Sequence, residues 1–510
     1  MQSAETVLNV IRERGRRGLP LKQLYRQLFN PQLYLMAYGR LYSNQGAMTP
    51  GVDGETVDGM SLGKIDRIID AVRHERYRWS PAKRVYIPKK NGRTRPLGLP
   101  TWSDKLLGEV IRLLLEAYYE PRFSDRSHGF RPGRGCHTAL REVANTWTGT
   151  TWFIEGDISD CFGSLDHEVM IATLAEKIHD GRFLRLLRNM LKAGYLEDWE
   201  WNATLSGAPQ GGVVSPILSN IYMDRLDSLV ETVLIPEYTR GERRKRNPEH
   251  QRVRDAIRRA RRRGDRAAVR VKRKQQRGLP SGDPQDPCFR RLRYVRYADD
   301  LLLGFTGPKA EAEEIKARLA EFLQENLRLD LSEDKTLLTH ARTGAARFLS
   351  YEINVCHDDR KVTAGKRSAN GTIILRVPTD VIKAKCAQYM KRGKPELRPH
   401  LVNGDDYSIM TTYGAEYRGV VNYYLLAGDV WRLNRLRWVA ETSLLKTLAC
   451  KHKSSVTKMA ARYKATIETP HGLRTCFQVQ VNRDGRKPLT ATLHYRRHPH
   501  PNEALVLLDI

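Results

Sequence analysis

The chain lacks any run of about eighteen apolar residues, so a membrane-spanning helix is not expected. Its first seventeen residues have no apolar stretch either. Glu5, Arg12, Glu13 and Arg14 interrupt them, which excludes a secretory leader there. Cysteine is scarce, with 7 in 510 residues, at 136, 161, 288, 356, 386, 450 and 476. No two have CxxC spacing, which argues against a zinc ribbon or finger and for free thiols in a reducing compartment. Acidic residues are also few relative to basic ones, 58 Asp and Glu against 87 Lys and Arg, for a net charge of +29. Such an excess points to a polyanionic partner. Without a membrane segment, nucleic acid is the partner expected, and free thiols make the cytoplasm the expected compartment. An apolar content of 40% is enough for packed cores, and the length suggests roughly two to four domains.

Hydrophobic periodicity gives a mixed helix and strand pattern. Residues 1–47 read as helical, with Leu21, Leu24, Tyr25 and Leu28 on one face. Met48–Gly54 is a loop broken by Pro50, Gly51 and Gly54. Residues 84–99 read as strand, turn and strand around Asn91-Gly92, a pair suited to a tight hairpin. Helix is expected over about 104–119, 168–195, 219–233 and 309–326. Thr151–Gly156 reads as a buried strand running into Asp157, and Leu292–Phe305 as two strands around Ala298-Asp299-Asp300. Between them, residues 240–277 hold eighteen Lys and Arg against four Asp and Glu. This insertion reads either as a solvated, partly disordered segment or as an arginine-rich helix for nucleic-acid phosphates. Beyond about 378 the pattern is mainly helical, ending in strand-like Thr475–Val481 and Thr490–Tyr495.

A strand ending in an aspartate beside a hairpin whose turn carries two more suggests one chemistry. Nucleotidyl transfer needs in-line attack of a 3′-hydroxyl on an α-phosphate, with two magnesium ions about 3.5–4 Å apart stabilising the attacking and leaving oxygens. Such hard ions take carboxylates and substrate phosphates. Asp157, Asp299 and Asp300 are the candidate ligands. Tyr-x-Asp-Asp alone is a weak motif, equally readable as an acidic hairpin turn.

The order and company of further motifs remove that ambiguity. Thr49-Pro-Gly-Val-Asp-Gly54 precedes Tyr86-Ile-Pro-Lys89 and Arg95-Pro-Leu-Gly-Leu-Pro100. Ser127-His-Gly-Phe-Arg-Pro-Gly-Arg-Gly135, Asp157-Ile-Ser-Asp-Cys-Phe162 and the stretch Gly207–Asn220 follow, then Tyr297-Ala-Asp-Asp300 and Leu331-Ser-Glu-Asp-Lys-Thr336. In this order they resemble the reverse transcriptase and maturase proteins encoded by bacterial group II introns, from about Met48 to the C-terminus. The resemblance implies an α+β fold, a right-hand polymerase whose fingers and palm (48–365, with an antiparallel palm sheet and the basic insertion 240–277) precede a helical thumb or maturase domain (366–464). Residues 1–47 would be a helical extension, and residues 465–510 resemble the family's DNA-binding segment, with modest signals at Thr469-Pro-His-Gly472 and Arg496-Arg-His498.

The same resemblance assigns roles. Asp157, Asp299 and Asp300 would hold two Mg2+ ions. Lys89 and Arg95 would meet the nucleotide triphosphate, and Arg131 and Gln210 the nucleotide or template. Phe162 would exclude a 2′-hydroxyl, although it also reads as a core residue. Lys335 would protonate the pyrophosphate leaving group. Lys446, Lys451, His452 and Lys453 in the thumb would contact intron RNA. The expected partners are an RNA template, group II intron RNA, a DNA target and primer, and dNTPs, with no membrane. The activity would be RNA-directed DNA synthesis, with help to splicing and target-primed insertion into DNA. A host-adopted reverse transcriptase and a non-catalytic RNA-folding maturase are the alternatives, and the intact Asp triad argues against the latter. After the last palm motif the family usually has Phe-Leu-Gly, where this chain has Phe348-Leu349-Ser350, so the primer grip is expected to survive with altered geometry. The CxxC frame and paired histidines of the family's HNH nuclease are absent from the sequence, so no second-strand cleavage is expected of it.

Overall fold

The computed structural model describes every residue except 1, 89–91, 93, 199, 205, 208–210, 284–285, 333, 359–368, 470–471, 485 and 494–510. The expected positions Lys89 and Gln210, the turn residue Asn91, and the segment Arg496-Arg-His498 lie outside the described residues. The chain divides into two compact units, residues 1–142 with 150–339, and residues 143–149 with 340–510.

The first unit is built on a four-stranded sheet. Arg291–Tyr297 is an edge strand beside Asp300–Thr306, which pairs with Trp152–Asp157, and Leu337–His340 lies beyond. The first three strands pair antiparallel. Their near-continuous apolar runs reflect burial on both faces, for Phe153, Ile154, Leu301, Leu302, Leu303 and Phe305 are all buried. Helices Trp102–Tyr119, Ser215–Leu229 and Lys309–Leu327 contribute to the same core. A second sheet pairs Ala82–Pro88 antiparallel with Thr94–Leu99, as the hairpin expectation required.

Two helical expectations break into shorter pieces. Residues 1–47 form Ala4–Arg16, Leu24–Gln27 and Pro31–Tyr42, interrupted where Gly18-Leu19-Pro20 and Pro31 cannot continue a helix. Leu21, Leu24, Tyr25 and Leu28 are nevertheless buried. Residues 168–195 form His167–Ala175 and Gly181–Leu191, because the Asp180 side chain caps the second helix at Phe183 N–H. The basic insertion is helical, with Pro248–Arg262 and Arg266–Gly278 capped by Asn247 and Asp265. Val253, Ile257 and Ala260 form its buried seam.

The second unit holds helices Thr379–Ala387, Asp406–Tyr423, Asn434–Lys451 and Val456–Tyr463. An antiparallel sheet of Lys464–Thr469, Gly472–Arg483 and Arg486–Leu493 follows, one strand more than periodicity suggested. Tyr413 and Tyr417 are core residues of their helix, and the Tyr413 hydroxyl meets Ser443 and Thr447. Leu349 and Ser350 form a hairpin turn at φ +48 and +60, the left-handed pair that a two-residue turn demands. Tyr423 and Tyr424 hydroxyls donate to their carbonyls.

One ion pair is wholly inside the first unit. The Arg296 guanidinium donates to both oxygens of Asp227, Nε to Oδ1 at 2.8 Å and Nη2 to Oδ2 at 2.6 Å, and neither side chain is more than 1% exposed. Breaking a buried pair from one side strands a charge. Asp227→Ala is therefore expected to lower the unfolding free energy by about 3–5 kcal/mol in a denaturant titration. A loss under about 1 kcal/mol, the range of exposed pairs, would mean that solvent reaches the pair.

Candidate active site

The strand Trp152–Asp157 delivers Asp157 to the end of the sheet, directly opposite Asp300 on the antiparallel neighbour. Tyr297 also pairs with Asp300, which leaves Ala298 and Asp299 as a two-residue turn. Ala298 has φ +56, a conformation that ordinarily selects glycine. The turn is held from two sides. Arg296 Nη1 donates to the Ala298 carbonyl at 2.8 Å, and Gly129 lies so close that a Cβ there would come within 2.3 Å of the Ala298 nitrogen. The Gly129 carbonyl in turn accepts from Asn220 Nδ2 at 2.9 Å.

The three carboxylates feel one another. Burial, Asp299 and Asp157 push the Asp300 carboxyl up to about 7, and burial with Asp157 raises Asp299 against the opposing charges of Arg95 and Lys335. Lys335 Nζ lies 2.5 Å from Asp157 Oδ2. That hydrogen bond raises its own pKa further, against partial desolvation. The segment carrying Lys335 is anchored alongside, since Ser332 N–H donates to the Asp157 carbonyl. As the side chains stand, no three ligand-type groups among the described residues converge on one point. The donor chemistry still suits a divalent cation. The carboxylates are hard oxygen ligands, two of them are raised by burial and crowding, and a cation relieves both.

Phe162 follows on the short helix Cys161–Ser164. Its ring meets the exposed Phe130 ring edge-on, at 6.1 Å and 76°. Gly207, at φ +88, opens the next motif against this helix, and a Cβ there would come within 2.6 Å of the Phe162 carbonyl. Its N–H donates to the Leu165 carbonyl and its carbonyl meets His167 Nε2. Arg95, on the strand Thr94–Leu99, reaches the site electrostatically through Asp299.

Arg131 lies inside the protein. It was expected to contact nucleotide or template, but its side chain is only 4% exposed. It donates to Glu120 and to the carbonyls of Ser124 and Ser127, so every guanidinium N–H is engaged internally. It shapes the 124–131 loop. The thumb residues divide similarly. Lys451 donates to Gly404 O and Asp406, His452 meets both Asp406 oxygens at 3.0 Å, and Lys446 donates to the Pro395 carbonyl. Lys453 is exposed. Sequence reasoning missed Arg296, Asn220, Asp227 and Phe130. Arg296 directly precedes the Tyr297 motif, and Asn220 and Asp227 lie seven apart, on one helix face, which was the available signal.

Burial would raise the Asp406 carboxyl, but hydrogen bonds from Lys451, Tyr463 and His452 outweigh it and hold it down to about 2. A folded pKa below the unfolded value near 3.9 stabilises the fold above about pH 4, and that contribution is lost as pH falls toward 2. Asp406→Asn is expected to flatten the acid limb of the melting-temperature profile in that window. An unchanged limb would show that Asp406 does not contribute.

Comparison with known proteins gives two family matches, "Reverse transcriptase (RNA-dependent DNA polymerase)" over residues 87–353 and "Type II intron maturase" over residues 370–490. The group II intron-encoded protein LtrA of Lactococcus lactis subsp. cremoris is 39% identical over 461 residues, covering 87% of this chain and 77% of that protein. An uncharacterized 91 kDa protein in a cob intron of Schizosaccharomyces pombe is 36% identical over 448 residues, 85% of this chain and 54% of that one. Protein YkfC of Escherichia coli K12 is 34% identical over 335 residues, 64% of this chain and 82% of that protein.

Proposed function

This chain belongs to the group II intron-encoded reverse transcriptase and maturase family, and on that premise we propose that it copies intron RNA into DNA from a DNA primer at the insertion target, in a bacterial cytoplasm. The observation that supports the polymerase step is the juxtaposition of Asp157 with Asp300 across one ladder, with Asp299 in the adjoining turn. The family implies a divalent metal, and the proposed ions are two Mg2+ held by these three carboxylates. When bound, they supply charge stabilisation to the attacking 3′-oxygen and the leaving pyrophosphate.

The protein's own groups orient and discriminate. Arg95 and Lys89 draw the triphosphate toward the carboxylates, since cations are needed where phosphate charge develops. In the same reading Phe162 excludes a 2′-hydroxyl, and Gln210 serves the nucleotide or the template. Lys335 is a protonated ammonium already at the site, and it donates its proton to the departing pyrophosphate. Lys446, Lys451, His452 and Lys453 hold intron RNA in this reading, and of the four Lys453 is the exposed one. The same chain assists intron splicing by holding that RNA.

The basic insertion supports a second contact with RNA. Arg261, Arg266, Arg270, Arg273, Lys274 and Arg277 line an open groove of about 830 Å3. Residues 266, 270, 273 and 277 fall on one helical face. The insertion closes at its base through the Asn247 N–H to Ser281 O bond and an Arg246–Gly282 bridge, so it can be removed without opening the sheet.

The first test is extension of a DNA primer on an RNA template with magnesium. Wild-type protein is expected to extend with dNTPs and not with rNTPs, and Asp299→Ala with neither. Absence of product from the wild type would move the reading to an RNA-folding maturase. In the second test, deleting residues 248–280 should make the salt dependence of RNA binding shallower, by about 0.7–0.9 in log–log slope for each phosphate that is no longer neutralised. An unchanged slope would make the insertion a solvated ornament of the surface.

A further inference from the structure

The loop Ser124–Arg131 carries more hydrogen bonds than a surface connection needs. Arg131 ties it to Glu120 and to its own carbonyls. His128 Nδ1 meets Thr138 and its Nε2 meets Glu142. His128 N–H donates to the Arg296 carbonyl, and Ser127 Oγ accepts from Arg296 Nη2. Gly129 abuts the catalytic turn. The residue that all of this presents is Phe130, which is 51% exposed and has φ +58.

A bulky aromatic at positive φ is a genuine outlier of backbone conformation. Such strain persists only where the surroundings over-determine it, and it clusters at functional sites. A large apolar side chain half open to solvent gives the fold little burial in return. Both features are explained if the ring has work at its aromatic neighbour, Phe162. The edge-on contact fixes the tilt of the Phe162 ring from a second segment of the chain. A gate that must separate hydrogen from hydroxyl at a sugar C2′ needs its ring held to a fraction of an ångström, and a rotamer locked by a neighbour supplies that.

We propose that Phe130 is a positioning residue for sugar discrimination, its strained backbone and edge-on ring holding Phe162 in the orientation that rejects a ribonucleotide. The proposal rests on the reading of Phe162 as the gate. It requires no direct contact of Phe130 with substrate.

The test uses the full-length protein and the ratio of rNTP to dNTP kcat/KM in primer extension, which normalises for the amount of active enzyme. Phe130→Gly removes the ring and relieves the positive φ. It is expected to raise the ratio about fivefold to tenfold, the span an aromatic pair supports, while the melting temperature stays level or rises. Phe130→Tyr, which restores a ring, is expected to return the ratio to within about twofold of wild type. Phe162→Val is the companion variant. If it relaxes discrimination and Phe130→Gly does not, the positioning role is overturned and the gate stands. If Phe162→Val leaves the ratio unchanged, the gate reading itself fails and the proposal falls with it. A lower melting temperature in Phe130→Gly with an unchanged ratio would make Phe130 a structural residue only.

Discussion

The buried guanidinium of Arg296 is the point on which the catalytic unit turns. Its five N–H groups are distributed over Asp227, Asn220, Ser127 and the Ala298 carbonyl, and the Tyr294 hydroxyl adds a bond to Asp227. Burying a charge costs several kcal/mol unless geometry and partners are nearly complete. The arrangement therefore admits little slack. The edge strand, the helix Ser215–Leu229, the loop around Ser127 and the turn that carries Asp299 must all meet at this cation, or its charge is left unpaired. A metal-dependent site needs ligands on a rigid platform, and here one cation and its partners provide that rigidity.

The neighbouring carboxylates illustrate the opposite condition. Asp299 and Asp300 are largely buried beside Asp157, opposed by Lys335 and, at Asp299, by Arg95, and their carboxyl groups are still pushed upward. Within the same few residues the structure satisfies one buried charge completely and leaves two others crowded. The first arrangement secures the fold, whereas the second stores a demand for positive charge that a divalent cation meets. Functional sites commonly break local rules in this way while the surrounding structure compensates.

Backbone strain follows the same division. Ala298 and Phe130 both have positive φ, and they are neighbours through the Gly129 approach. Neither conformation is favoured by its own residue type, and both are held by hydrogen bonds from elsewhere in the unit. The Leu349–Ser350 turn is a third instance in the other unit, where tyrosine hydroxyls secure the carbonyls of the turn.

Much of this was legible in the sequence. Apolar strands flanking Ala298-Asp299-Asp300, the hairpin of residues 84–99 and the buried face of Leu21, Leu24, Tyr25 and Leu28 all follow from local periodicity. Motif order was sufficient to identify the family. The helical breaks near Pro31 and Asp180 were also written locally, in a proline and a capping aspartate, but periodicity smoothed over them. What the sequence could not decide was which of its many cations face inward. Arg131, Lys451 and His452 read as ligand contacts, and the structure pairs them with Glu120 and Asp406, while Arg296, unremarked in the sequence, is the most deeply buried basic side chain among the described residues. Local pattern sets backbone conformation because neighbours along the chain impose it. The partner of a long charged side chain is chosen by residues tens to more than a hundred positions away, as Ser127 and Asp227 are from Arg296, and only the tertiary structure brings them within hydrogen-bonding reach.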